Sequence, residues 1–170
     1  TAGSGGSPEG VLAEIKSPTV INSYSAVGTN ITTLANGNVV VIDDAYFTIY
    51  DASGNIVRST SVIPSTYGIE TLRTPNITPF DNGNFLISLT DENWSGVYVV
   101  LDSDGDFIAT DTYELDFGDV NSAVTLSSGD AMVVYSGDHS QAYTAFVDSS
   151  GTMLSTGTYV GMTLESDMIS

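Results

Sequence analysis

Around residue 104 the chain reads LDSDGDF, which sets Asp102, Asp104 and Asp106 at alternate positions. A tight turn can fold such carboxylates onto one hard cation, with calcium–oxygen distances of about 2.3–2.6 Å. Calcium is therefore the candidate ion, and these three aspartates are its candidate ligands. The EF-hand pattern is incomplete, because glycine falls at the fourth position and no Glu at the twelfth. The related turns DASGN and DSSGT lack the middle acid, so a plain turn is the competing reading.

A second set of chemically capable residues lies in three short segments, DDAY, TDENWSG and SGDHSQ. They hold Asp43, Asp44, Asp91, Glu92 and Asp138, with the only tryptophan, Trp94, and the only histidine, His139. An aromatic ring beside carboxylates can stack a sugar or hold a cationic group. The alternatives are ordinary solvated hairpin tips and, for Trp94, a contact between copies of the chain. Catalysis has little support: there is no GxSxG elbow, no phosphate-binding loop and no cluster of histidines. A Ser-His-Asp set built around His139 has nothing to orient it. A glycoside-active enzyme is the third and weakest functional reading: it needs two carboxylates facing one pocket, which the linear order does not by itself show. The expectation is a protein that is not an enzyme. Three glycosylation sequons begin at Asn30, Asn76 and Asn93, the first two at the same repeat position.

The chain has 170 residues and a net charge of −18, with Lys16, Arg58 and Arg73 as its only basic residues. Phosphate backbones and anionic lipid surfaces repel such a chain, so nucleic acid and membrane partners are disfavoured. No apolar run approaches the roughly 20 residues of a spanning helix. Fifteen of the 21 acids are Asp, set beside Gly, Ser and Asn, which places most of the charge in turns. There is no cysteine, so disulfides and thiolate metal sites are excluded. Residues 1–7 read as a linker or processing remnant, and 8–170 as a single repeat-built domain.

The elements that must position these residues come from an internal repeat. NITTLANGNVVVI, NITPFDNGNFLIS and SAVTLSSGDAMVV begin at residues 30, 76 and 122, a constant step of 46. Each is followed by a second motif, YFTIYDASGNIV, VYVVLDSDGDFI or YTAFVDSSGTML. The repeats span approximately 20–65, 66–116 and 117–160. Each reads as four short strands. In the first copy these are Ile31–Leu34, Val39–Ile42, Phe47–Tyr50 and Ile56–Ser59, joined by Asn-Gly and Asp-x-x-Gly hairpin turns. Val, Ile, Thr, Tyr and Phe fill the strands.

Four antiparallel strands in about 45 residues are the signature of a β-propeller blade, and one blade cannot bury both of its faces alone. The predicted fold is all-β and propeller-like, with about three blades and single strands at each end, a β-sandwich being the alternative. SPEGVLAEI near the start resembles an outer strand, and SDMIS at the end aligns with a further inner strand. Three blades fall short of the roughly four to eight that close a ring. Closure then requires either homo-oligomerisation or repeats outside this chain. Strand alternation brings the three acidic-aromatic loops to one rim, where loops on a rigid scaffold carry binding.

The pattern carried by Leu34, Asn36, Gly37, Asp51 and Gly54 is repeated by Phe80, Asn82, Gly83, Asp102 and Gly105, and again by Leu126, Gly129, Asp148 and Gly151. It resembles the propeller-type repeats of large secreted bacterial calcium-associated proteins and adhesins of the RTX type. It departs from them in lacking a Trp at the end of the second strand and the nonapeptide calcium repeat. The resemblance implies an extracellular or surface location and a binding or scaffold role. The expected function is therefore a surface binding module for a carbohydrate or protein ligand. The alternative is a self-assembling part of a fibre, adhesin or virion.

Overall fold

The computed structural model describes residues 29–43, 46–62, 73–91, 93–108, 113–136 and 141–159. Those residues form twelve strands and no helix. In chain order they are β1 (Thr29–Thr33), β2 (Val39–Asp43), β3 (Tyr46–Tyr50), β4 (Ile56–Ser61), β5 (Arg73–Pro79) and β6 (Phe85–Thr90). The second half holds β7 (Ser95–Leu101), β8 (Tyr113–Phe117), β9 (Val120–Thr125), β10 (Ala131–Ser136), β11 (Ala142–Val147) and β12 (Met153–Tyr159).

They group into three antiparallel sheets, each a four-stranded meander: β1–β4, β5–β8 and β9–β12. Each sheet is one blade. The first strands β1, β5 and β9 lie side by side, and the blades stack in chain order. Three separate sheets stacked this way form a propeller-like array, not the two facing layers of a sandwich.

Period-2 alternation explains the stack. In β6 and β7, Phe85, Ile87, Leu89, Val97, Val99 and Leu101 join the core between blades 1 and 2. Their neighbours Leu86, Tyr98 and Val100 join the core between blades 2 and 3. The middle blade therefore buries both faces, and every residue of β6 is buried. Blade 1 supplies Val40, Ile42, Phe47 and Ile49 to the first core, and blade 3 supplies Ala131, Val133, Tyr135, Ala145 and Val147 to the second.

Hydrogen bonds join equivalent positions of successive blades. The Thr125 hydroxyl donates to the Pro79 carbonyl, the Thr74 hydroxyl to the Val120 carbonyl at 3.2 Å, and the Asn30 amide to the Pro75 carbonyl at 3.4 Å. The first two pairs are separated by 46 residues, the repeat step itself.

The hairpin turns share one geometry. In residues 34–38, 51–55, 80–84, 91–95, 102–106, 126–130 and 148–152, the first N–H donates to the fifth carbonyl and the fourth N–H to the first carbonyl, at 2.8–3.2 Å. This is the three-residue hairpin, a type I turn followed by a left-handed residue. Where the turn opens with Asp51, Asp91, Asp102 or Asp148, the Oδ1 atom accepts the N–H groups of the third and fifth residues. Repeated Asp-x-x-Gly motifs are thus self-capped turns. The outer strand of blade 2 departs from the repeat: Phe107 makes only an isolated bridge to Leu101, and the strand proper is β8.

Candidate functional site

The meander sends the first and third hairpins of each blade to one end of the stack and the second hairpins to the other. The described ends of the acidic-aromatic segments, at Asp43, Asp91 and Ser136, belong to the second hairpins and lie at that other rim. Asp44, Glu92, Asp138 and His139 lie outside the described residues. Asp43, Asp91 and Trp94 are described: the two aspartates are buried, and the tryptophan is exposed.

Asp91 is buried, and its carboxylate is taken up by its own turn. Oδ1 accepts the N–H groups of Asn93 and Ser95 at 2.9 and 2.8 Å. It builds the rim and does not face solvent. Asp43 closes β2, is only 9% exposed, and its Oδ1 has no hydrogen-bond partner. It lies in register with Thr29 and Tyr46.

Trp94 occupies the fourth position of its turn with φ 63°, where Gly37, Gly54, Gly83, Gly105, Gly129 and Gly151 stand in the other six. A side chain in that conformation costs roughly 1–2 kcal/mol. The indole is nevertheless 53% exposed, so core packing does not offset the cost. The Arg73 guanidinium carbon lies 4.2 Å from the ring centroid, a contact that contributes about 0.5–1 kcal/mol at exposed sites. Arg73 was not among the sequence candidates. Its signal was rarity, as one of three basic residues in a strongly acidic chain.

The backbone beneath is tightly held. The Trp94 carbonyl accepts the Gly118 N–H at 2.8 Å, which ties the hairpin to the crossover into blade 3. The Val120 N–H donates to the Thr90 hydroxyl at 2.9 Å, the Thr90 and Thr74 hydroxyls meet at 3.3 Å, and the Thr74 hydroxyl returns to the Val120 carbonyl. Thr74, beside Arg73, is the second non-glycine residue with positive φ, at 48°. Both left-handed side-chain positions of the described chain thus sit at this one place. Held strain of this kind marks functional surfaces.

The proposed calcium turn is not assembled as expected. Asp102 accepts the N–H groups of Asp104 and Asp106 at 3.0 and 2.9 Å, while the Asp106 carboxylate pairs with Arg58 of blade 1 at 2.5 Å. The Asp102 and Asp106 carboxylates have different partners, and no group of three or more His, Cys, Asp or Glu residues among the described ones converges on a point that would hold an ion. In this turn the Asp102 Oδ1 atom is the acceptor that closes the hairpin.

The opposite rim carries a cleft of about 260 Å³ between turns of blades 2 and 3, lined by Phe80, Asp81, Asp130, Asp148 and Ser150 among others. Burial raises the Asp148 carboxyl pKa. Hydrogen bonds from the Ser150 side chain and from the Thr152, Ser150 and Gly151 backbone outweigh this and hold it below the ordinary value of 3.8.

No family model matches the chain, and no curated protein matches it. Solved structures similar to it include a protein of unknown function from Bacteroides caccae (15% identity, TM-score 0.44, 78% of this chain and 40% of that one). A second is a calcium-binding protein, regucalcin, from Agrobacterium tumefaciens (12%, 0.42, 75% and 43%). A third is a luciferin-regenerating enzyme (11%, 0.32, 76% and 62%). The chain spans less than two thirds of the length of each.

Proposed function

We propose that the chain is the binding module of a secreted or surface-associated protein, and that it takes a carbohydrate ligand on the rim of its middle blade at Trp94. The observation that carries this reading is the exposed indole held in a backbone position that the repeat otherwise gives to glycine. One ring face rests on Arg73, and the rest is open to a sugar's C–H surface. The Arg73 guanidinium, which has no carboxylate partner among the described residues, supplies donors for ligand oxygens. The likeness of the turn pattern to RTX-type adhesin repeats supports the extracellular setting. The backbone circuit of Thr74, Thr90 and Val120 gives the platform rigidity.

Trp94 is the only tryptophan, so its fluorescence reports directly on the rim. A glycan array followed by titration of the best binder is expected to shift that emission. Trp94→Gly restores the residue that the other turns use, and is expected to abolish binding while leaving the fold intact. A glycan bound equally well by that variant, or an array with no binder at all, would sink the reading.

A further inference from the structure

We infer that the sugar taken at Trp94 carries a carboxylate and that Arg73 selects it, an inference that deepens the carbohydrate reading of this rim and rests on it. It starts from how β5 delivers its cation. Asn76 pairs with Ser88 and Ile77 with Ile87. An unbroken register would continue to Arg73 opposite Asp91. The register instead shifts between Arg73 and Asn76, and Arg73 lies opposite Thr90. One extra residue is accommodated at Thr74 and Pro75, with Thr74 in the left-handed region at φ 48°. A bulge of this kind re-aims a side chain. Here it takes the arginine out of register with an acid and brings its guanidinium over the Trp94 ring, 4.2 Å from the centroid.

The repeat does not require a cation there. The step of 46 places Val27 and Asp119 at the same position of the flanking repeats. Nor is the charge neutralised by a described residue. Arg58 pairs with Asp106, whereas the Arg73 guanidinium has the indole as its contact. Asp91, which opens the Trp94 turn, is buried and engaged by that turn. Its Oδ1 accepts the Asn93 and Ser95 N–H groups, and its Oδ2 the Asn93 side-chain amide at 3.4 Å.

A cation–π contact engages the face of a guanidinium and leaves its in-plane N–H fork open. That fork matches a carboxylate through parallel hydrogen bonds, and such charge-assisted bonds are roughly twice as strong as neutral ones. The open part of the indole suits the C–H surface of a pyranose. The two side chains together fit a sugar ring with a carboxylate at its edge. Charge limits how many carboxylates are welcome. The chain carries −18, and Arg58, the other described cation, is already paired. A second carboxylate would therefore meet repulsion without a matching cation. The ligand is an otherwise neutral glycan bearing one sugar acid, a uronate or a sialate, and not a polyanion.

The test titrates the 170-residue chain with matched pairs, read by Trp94 fluorescence. Each pair is a neutral oligosaccharide bearing one uronic or one sialic acid, and the same glycan with that carboxyl reduced to the alcohol. The acidic member is expected to bind at least about tenfold tighter. Arg73→Gln should bring it down to its reduced counterpart. Arg73→Lys, which keeps the charge without the fork, should keep only part of the preference. Far-UV circular dichroism checks that both variants fold. Equal binding of acidic and reduced members, or an affinity that climbs with the number of carboxylates, would overturn the inference and leave the carbohydrate reading standing. So would an equal loss for both members in Arg73→Gln, which would make Arg73 only a prop for the ring. Silence across acidic and neutral glycans alike would remove that reading, and the inference with it.

Discussion

At the residue scale, the repeat gives its own controls. Seven hairpins share one backbone and differ in what stands at the left-handed position, so substitutions there separate backbone cost from packing cost. Gly37 and Gly105 have φ 85° and 84°, yet an added Cβ at Gly37 meets nothing within 4 Å. At Gly105 it would lie 2.8 Å from Arg58 Cδ, 2.9 Å from Phe47 Cε2 and 3.0 Å from Ile49 Cδ1. Gly37→Ala is expected to cost about 1 kcal/mol, and Gly105→Ala about 2–4 kcal/mol because it also wedges blade 1 from blade 2. Urea denaturation of both variants checks the difference. The same logic run backwards applies to Trp94. Trp94→Gly should raise stability by about 0.5–1 kcal/mol once the lost Arg73 contact is set against the relieved strain, although it removes a large side chain. A residue whose removal stabilises the fold is held there by something other than the fold.

At the element scale, the Asp-initiated turn is the unit that makes this acidic chain foldable. Each opening carboxylate satisfies two backbone N–H groups that would otherwise have no partner within the turn. Asp148 also accepts from the Ser150 hydroxyl at 2.6 Å. Its folded pKa lies below the ordinary carboxylate value, so the unfolded chain binds the proton first as acid is added, and stability rises with pH in that window. Its contribution is complete above about 3.8 and is lost as the pH falls through the lower folded value. Carboxyl-detected NMR should show the Asp148 midpoint below that of a model peptide. Asp148→Asn, which keeps one acceptor oxygen, should flatten the acid limb of the stability curve. A midpoint at or above the peptide value would contradict the turn geometry.

At the scale of the whole molecule, stability is a sum of blades and the seams between them. Leu86 and Met132 are the same repeat position, one sealed between blades 2 and 3 and the other on the far face of blade 3. Leu86→Ala should cost about 3 kcal/mol at any protein concentration. Met132→Ala, at a half-buried position, should cost about 1 kcal/mol. Thermal unfolding of both variants checks the difference. The exposed Arg58–Asp106 pair across the first seam should matter little by comparison, because solvent-exposed ion pairs contribute at most about 1 kcal/mol.

The sequence alone determined the blade. The step of 46, the turn glycines and the two-sided apolar strands name a four-stranded unit that needs neighbours, because alternation and turn chemistry are local and repeat in plain view. It also indicated which hairpins share a rim, since that follows from strand count. Only the tertiary structure decided what the carboxylates do. Asp91 and Asp102, candidate ligands in the linear chain, each cap their own turn through Oδ1, because a carboxylate two and four residues before unpaired N–H groups is captured by them. Arg73, in β5, and Trp94, in the β6–β7 turn of blade 2, meet only when those elements are brought together. That Trp94 stands in a glycine's place was hidden by the longer second hairpin, which removes it from the register of the repeat.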